Sequence, residues 1–249
     1  MRQPLKHSCH KDLEKVSGSE FSIQLARTRW FREHWLYLVM LLRDKVRSMV
    51  PSDEVLKSIE DTIRVPDQNQ VSKEMAVFIM QASSELAIHF INKVWLLLRT
   101  ERKRPFLISD NPLALQNMNN MRPFGNIGLA VRGIEIYFPL SPIRALALWC
   151  PSLGEMFQKA ATNLRFFSQI APHLVATLSH DPLFIEKTVA AMETGRPLTY
   201  EPENVLNLNS LQVHYAERHV FSCIDDFALV REMIERDPSI RSGPRGKVN

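Results

Sequence analysis

Between Val94 and Cys150 the hydrophobic rhythm of the chain changes. Apolar residues there come in runs of strand length: VWLLLR (94–99), FLIS (106–109), IEIYF (134–138) and RALALWC (144–150), with turn residues between them. On both sides of this block apolar residues recur at helical spacing. Strands gathered in one block and helices before and after it define an α+β chain. The expected architecture is a small, mostly antiparallel sheet from about residues 94–150 plus a strand near 220–224, flanked by helices from both ends of the chain. Residues 21–236 read as a single domain, 1–20 as a flexible N-terminus and 237–249 as a flexible basic tail.

Within that frame the local expectations are specific. Residues 21–48 read as one long helix, with Phe31, Trp35, Leu38, Val39 and Leu42 on one side. Gln24 and Thr28 fall in the same stripe and Arg27 on its edge. Ser52 or Asp53 is placed to cap a short helix, the loop VPDQNQ (65–70) to end it, and Ser72 to cap a helix through Asn92. That helix would turn Met75, Ile79, Ala82, Leu86, His89 and Phe90 inward. TERKRP (100–105) fits a hairpin between the first two strands, and a strand is expected around Gly128–Arg132. In IEIYF, Ile134, Ile136 and Phe138 should face the core and Glu135 and Tyr137 the polar side. Helices follow over 153–170, from Asp181-Pro182 to Gly195, over 203–219 and over 226–236.

With 249 residues the chain is long enough to bury a sizeable core. Its three cysteines, Cys9, Cys150 and Cys223, are odd in number and far apart, which argues for a reducing compartment and a cytoplasmic location. The longest apolar run, Trp35 to Leu42, falls short of the roughly 20 residues a membrane span needs. A net charge of +4 leaves room for anionic partners without requiring them; the denser basic spots are Arg99, Arg102, Lys103 and Arg104, and Arg241, Arg245 and Lys247. The sequence is silent on oligomeric state.

Familiar catalytic signatures are missing: no G-x-S-x-G elbow, no Walker loop, no H-E-x-x-H. His214 and His219 would lie about 140° apart on one helix and cannot share a metal from it. A restriction-type nuclease would carry lysine where Tyr137 stands. His7, Cys9 and His10 lie in a terminus with no preorganised geometry. What remains is the stop at Ser109-Asp110-Asn111-Pro112. An acid at a strand end before Asn-Pro makes an Asx-type turn, or it displays a carboxylate at the mouth of a cleft. The helix 203–219 strengthens the second reading. Val205, Leu208, Leu211 and Tyr215 point inward, and Asn209, Gln212 and His219 share or border their arc, while Asn207, Ser210, His214 and Glu217 face out. Amides and imidazoles on an apolar face need partners. Asp225 and Asp226 fit a helix cap better than a metal site.

Four segments together, FSIQLARTRWFRE (21–33), FLISDNPLAL (106–115), FPLSP (138–142) and LNLNSLQVHYAERHVFS (206–222), resemble the bacterial domain-of-unknown-function family 4238 over about residues 20–225. The resemblance implies an α+β fold and assigns no activity. The family's opening His-Tyr-Val-Pro segment has no counterpart in this sequence. By matching position, the polar residues it singles out are Gln24, Arg27, Thr28, Ser109, Asp110, Asn111, Ser141, Asn209 and Arg218. Two functional readings follow. In the leading one the protein is a hydrolase or transferase acting on a phosphate-containing or nucleic-acid substrate. Asp110 then serves as general base or divalent-metal ligand, Asn111 and Gln212 orient, and Arg27 or Arg218 holds the anion. No other cofactor is indicated. In the alternative the protein binds a nucleic-acid or protein partner without catalysis, the SDNP turn is structural, and the basic turn 99–104 meets the partner.

Overall fold

A computed structural model of the protein describes residues 18–49, 68–119, 127–175, 179 and 181–242. The expectations placed on His7, Cys9, His10, Ser52, Asp53 and the basic residues Arg245 and Lys247 lie outside the described residues, as do the side chains of Trp35, Leu38, Leu42, Ser72, Met75, Ile79, Ala82 and Arg241. The chain divides into two compact units, residues 1–88 with 242–249, and His89–Arg241.

The first unit contains α1 (residues 18–26), α2 (Arg29–Met49) and most of α3 (Gln68–Ile91). The single helix expected over 21–48 is two helices. Thr28 breaks it: its hydroxyl donates to the Leu25 carbonyl (2.8 Å) and accepts the Phe31 N–H (3.2 Å), so it closes one helix and caps the next. Phe21, Leu25 and Ala26 are buried in α1, and Ser22 Oγ is satisfied by the Gly18 carbonyl at 2.9 Å. Helix α3 begins by Gln68, so Ser72 lies inside it and residues 68–70 of the expected loop are helical.

The second unit holds the sheets. A five-stranded sheet has the order β3 (Ala114–Gln116), β4 (Glu135–Ser141), β5 (Arg144–Trp149), β1 (Val94–Arg99), β6 (Leu198–Thr199). All its pairings are antiparallel except β1 with β6. A separate two-stranded sheet pairs β2 (Ile108–Ser109) with β7 (Val220–Phe221). The α+β architecture is therefore present, with the strand near 220 in its own small sheet. TERKRP is not a hairpin turn: it carries the chain from β1 in one sheet to β2 in the other. The expected strand at 128–132 is a pair of turns, with Gly133 at φ +82. The third strand of that stretch is instead Ala114–Gln116.

Both faces of the main sheet are buried. One face carries Leu96, Leu98, Tyr137, Ala145, Ala147 and Trp149. It is covered by α4 (Pro151–Ile170), α5 (Pro182–Thr194) and α6 (Pro202–Tyr215) through Phe157, Phe184, Ala191, Val205 and Leu208. On the opposite face Ile136 and Leu148 are fully buried. The polar outer face expected for Glu135 and Tyr137 is thus a helix-covered face. Tyr137 fits there because its cross-strand neighbours are Ala114 and Ala147, which leave room for the ring, and because its hydroxyl donates to Glu135 Oε2 at 2.5 Å.

Helix ends follow their local chemistry. Asp181 accepts the Phe184 N–H at 2.8 Å and Gly195 closes α5 at φ +69. Helix α6 ends at Tyr215, four residues before the expected end at 219. The last helix, α7, spans Ala228–Arg236, entered through Asp226 Oδ1, which accepts the Ala228 N–H at 3.1 Å. A 3-10 turn over Pro238–Ser242 then sets Ile240 against Leu107 and Val213. Among the described residues no helix is long and apolar enough to cross a membrane.

Candidate functional site

The SDNP turn and α6 grip each other along their length. Gln212, fully buried, accepts the Ser109 N–H at 3.0 Å through Oε1 and donates through Nε2 to the Pro112 carbonyl at 2.9 Å. The Ser109 hydroxyl lies 3.1 Å from Gln212 Oε1 and 2.8 Å from the Asn111 carbonyl oxygen. One helical turn earlier Asn209 accepts the Leu107 N–H (2.8 Å) and donates to the Pro105 carbonyl (3.0 Å). One turn later the Tyr215 hydroxyl donates to the Leu115 carbonyl (2.9 Å), and burial pushes its pKa up to about 12. Spacing of three along the helix thus matches an extended backbone from 105 to 115, which has no regular neighbour of its own for most of that stretch.

Asp110 answers in the other direction. Its Oδ1 accepts the Glu217 N–H at 2.9 Å, and its Oδ2 accepts those of Arg218 at 3.0 Å and His219 at 3.3 Å. Its own N–H donates to the His219 carbonyl at 3.1 Å. These bonds turn the chain away from the helix axis after Tyr215, which is why α6 stops early. Hence His219 is not on the helix, and Glu217, expected to face out, is buried. His219 Nδ1 stands 3.6 Å from Asp110 Oδ2 with the imidazole largely in solvent.

The structure therefore brings Ser109, Asp110, Asn111, Asn209 and Gln212 together, and most of their polar atoms are taken up by main chain. Asn111 differs: it is 1% exposed, and among the described residues neither its Oδ1 nor its Nδ2 has a hydrogen-bond partner. Arg218 engages Asp110 only through its backbone N–H among the contacts described, and its side chain lines a mostly apolar hollow of about 340 Å³ with Val220, Phe227, Val230 and Ile234. Ser141, at the end of β4, lines a different groove of about 270 Å³ with Phe106, Leu140 and Phe221. Gln24, Arg27 and Thr28 belong to the first unit: Thr28 is buried as a cap, Gln24 is half-buried and Arg27 exposed.

Three features escaped the sequence reading. A cavity of about 460 Å³ lies beside Asn209, between the first half of α6 and residues 222–232. The basic turn closes one side with Lys103 and Arg104; Glu203, Asp226 and Glu232 also line it. The second feature is a polar network on the helix-covered sheet face. Asn207 Nδ2 donates to Gln116 Oε1 at 3.1 Å, Gln116 and Tyr137 bond the Glu135 carboxyl, and Tyr200 bonds Tyr137. Burial raises the Glu135 carboxyl above its ordinary value against those hydrogen bonds, and raises both tyrosines further. The strict alternation of residues 134–138 was the available signal. The third is Cys150, at the start of α4. Burial pushes its thiol up, yet the Ser152 hydroxyl at 3.1 Å, the backbone amides of Gly133 and Ser152, and the charge of Lys93 together hold it below the usual range. Among the described residues no group of three or more His, Cys, Asp or Glu side chains is placed to hold a metal ion.

Fold and turn define a helix-clamped α+β domain. The chain belongs to the family described as Protein of unknown function (DUF4238), whose model matches residues 18–226. Comparisons with curated proteins and with solved structures gave no match.

Proposed function

We propose that this protein is a non-catalytic binding protein in which the SDNP turn is structural and the partner is a protein segment. One observation carries the reading: both oxygens of Asp110 are committed to three backbone N–H groups of residues 217–219. A carboxylate so engaged holds the β2–α6 junction together and is poorly placed to act as base or ligand. The cavity beside Asn209 mixes both charge signs, which suits a protein surface better than a phosphate backbone.

Hydrogen bonds to a charged acceptor contribute about 1.5–3 kcal/mol. Asp110→Ala should therefore lower the melting temperature by about 5–10 °C. Wild-type protein should show no hydrolysis of bis-p-nitrophenyl phosphate, with or without Mn²⁺, beyond that of the Asp110→Asn variant. Turnover abolished by Asp110→Asn, with the melting temperature unchanged, would overturn the reading.

The hydrolase or transferase reading keeps one specific support, the Asp110–His219 pair at 3.6 Å. An exposed imidazole oriented by a carboxylate is a general-base arrangement. In that case His219→Gln would remove the same turnover without loss of stability.

A further inference from the structure

We propose that the cleft between α6 and residues 222–232 binds a short zwitterionic peptide segment, with apolar side chains on the floor, a carboxylate end toward Lys103 and Arg104, and a basic end toward Glu203 and Asp226. The inference deepens the binding reading above and rests on it.

The floor is apolar. Leu107, Val205 and Leu229 line it, and Leu206 (55% exposed) and Ile224 (40% exposed) stand open at its edges. Apolar side chains left this exposed around a concave surface favour a ligand that covers them. The cavity, about 460 Å³, falls in the range of roughly 300–1,000 Å³ typical of ligand sites, room for a few residues.

The charges are held apart rather than paired with each other. Thr100 Oγ1 donates to the Arg104 carbonyl at 2.9 Å and the Arg104 N–H donates to the Glu101 carbonyl at 3.0 Å, so the basic turn is fixed at its base. Phe106 N–H, bonded to the Pro142 carbonyl at 2.8 Å, fixes it from the other side. The described ion pairs join Arg165 to Glu186, His219 to Asp110 and Arg236 to Glu232; the side chains of Lys103, Arg104 and Glu203 are in none of them. Glu232 is paired with Arg236, which leaves Lys103 and Arg104 facing one cavity with Glu203 and Asp226, outside the described ion pairs, and opposite charges lining one cavity select a ligand with both signs. A nucleic acid meets the carboxylates of Glu203 and Asp226, and a wholly cationic segment meets Lys103 and Arg104.

The test uses the full chain and a fluorescein-labelled peptide, Lys-Leu-Leu-Asp, read by polarisation at low and at 0.5 M salt. Controls are Lys-Leu-Leu-Lys, Asp-Leu-Leu-Asp and a uridine oligonucleotide. Saturable binding of the mixed peptide is expected, weaker by about tenfold in 0.5 M salt, in the Lys103→Glu/Arg104→Glu double variant and in Glu203→Lys. All three positions are exposed, so the variants should keep the wild-type melting temperature. The Arg165→Glu variant, altered on exposed α4, should bind as wild type. No saturation below millimolar peptide, equal binding of the like-charged peptides, or preference for the oligonucleotide would overturn the proposal. The broader binding reading is judged separately, by the stability of Asp110→Ala and the phosphodiester assay, neither of which involves a peptide.

Discussion

Asn111 follows two residues whose polar atoms are well used, and its own side chain is not. Ser109 and Asp110 are matched to Gln212 and to the backbone of 217–219, while the Asn111 amide is buried at 1% exposure with both atoms lacking a partner among the described residues. A buried unsatisfied polar group costs about 1–3 kcal/mol, so its amide does not stabilise the turn. Its backbone does more: the carbonyl oxygen lies 2.8 Å from Ser109 Oγ, and Pro112 holds the residue extended. Asn111→Leu keeps the branching and the number of side-chain heavy atoms, at some cost in bulk, and removes the unmatched dipoles. It should leave stability unchanged or raise it by about 1 kcal/mol, read as the urea midpoint. A loss above about 1 kcal/mol would mean that the amide is matched in solution. The contrast with Asp110→Ala, two atoms of backbone away and expected to be strongly destabilising, separates the structural half of the turn from the unexplained half.

Helix α6 works as a clamp because its polar side chains recur at the interval at which the facing segment presents backbone groups. Gln212 is the centre of it, with bonds to Ser109 N–H, Ser109 Oγ and the Pro112 carbonyl. Gln212→Ala strands a buried donor and a buried acceptor at once and should cost about 2–4 kcal/mol; a change in urea midpoint worth less than about 0.5 kcal/mol would show that the clamp is dispensable. The helical period placed Asn209 and Gln212 on the buried arc before any partner was known, since burial at that spacing depends on sequence neighbours. It ran past Tyr215 because the signal that ends the helix is Asp110, more than a hundred positions upstream in the chain. The same limit explains the sheets. Runs such as VWLLLR and RALALW are long enough to read directly. The two-residue strands β2, β6 and β7 exist only through pairings across the chain, so FLIS was joined to the wrong neighbour. The cleft beside Asn209 was readable only as its basic turn; its acidic and apolar walls come from α6 and the approach to α7, two helices brought together by folding.

At the scale of the molecule, the Glu135 network couples the stability of the sheet to pH. Glu135, Tyr137 and Gln116 lie on two adjacent strands, Tyr200 follows a third, and Asn207 comes from α6, so one proton-sensitive group touches much of the second unit. Burial raises the folded-state pKa of Glu135 above its value of 4.5 in an unfolded chain, and the hydrogen bonds from Tyr137 and Gln116 offset only part of that rise. A group whose pKa is higher in the folded state holds its proton more tightly there. Its contribution to stability is therefore fully present below about pH 4.5 and is lost as pH rises through the folded-state value. Other carboxylates titrate in the same region, so the difference between two proteins isolates this one. Glu135→Gln keeps an oxygen to accept from Tyr137 and removes the ionisation. Plotted as the variant's urea midpoint minus that of the wild type, the difference should climb from about pH 4.5 upward and level off once the wild-type carboxyl has ionised. A flat difference across pH 4 to 8 would mean that Glu135 titrates alike in the folded and unfolded chains, and that the polar chain from Asn207 to Tyr200 is wetter than its burial indicates.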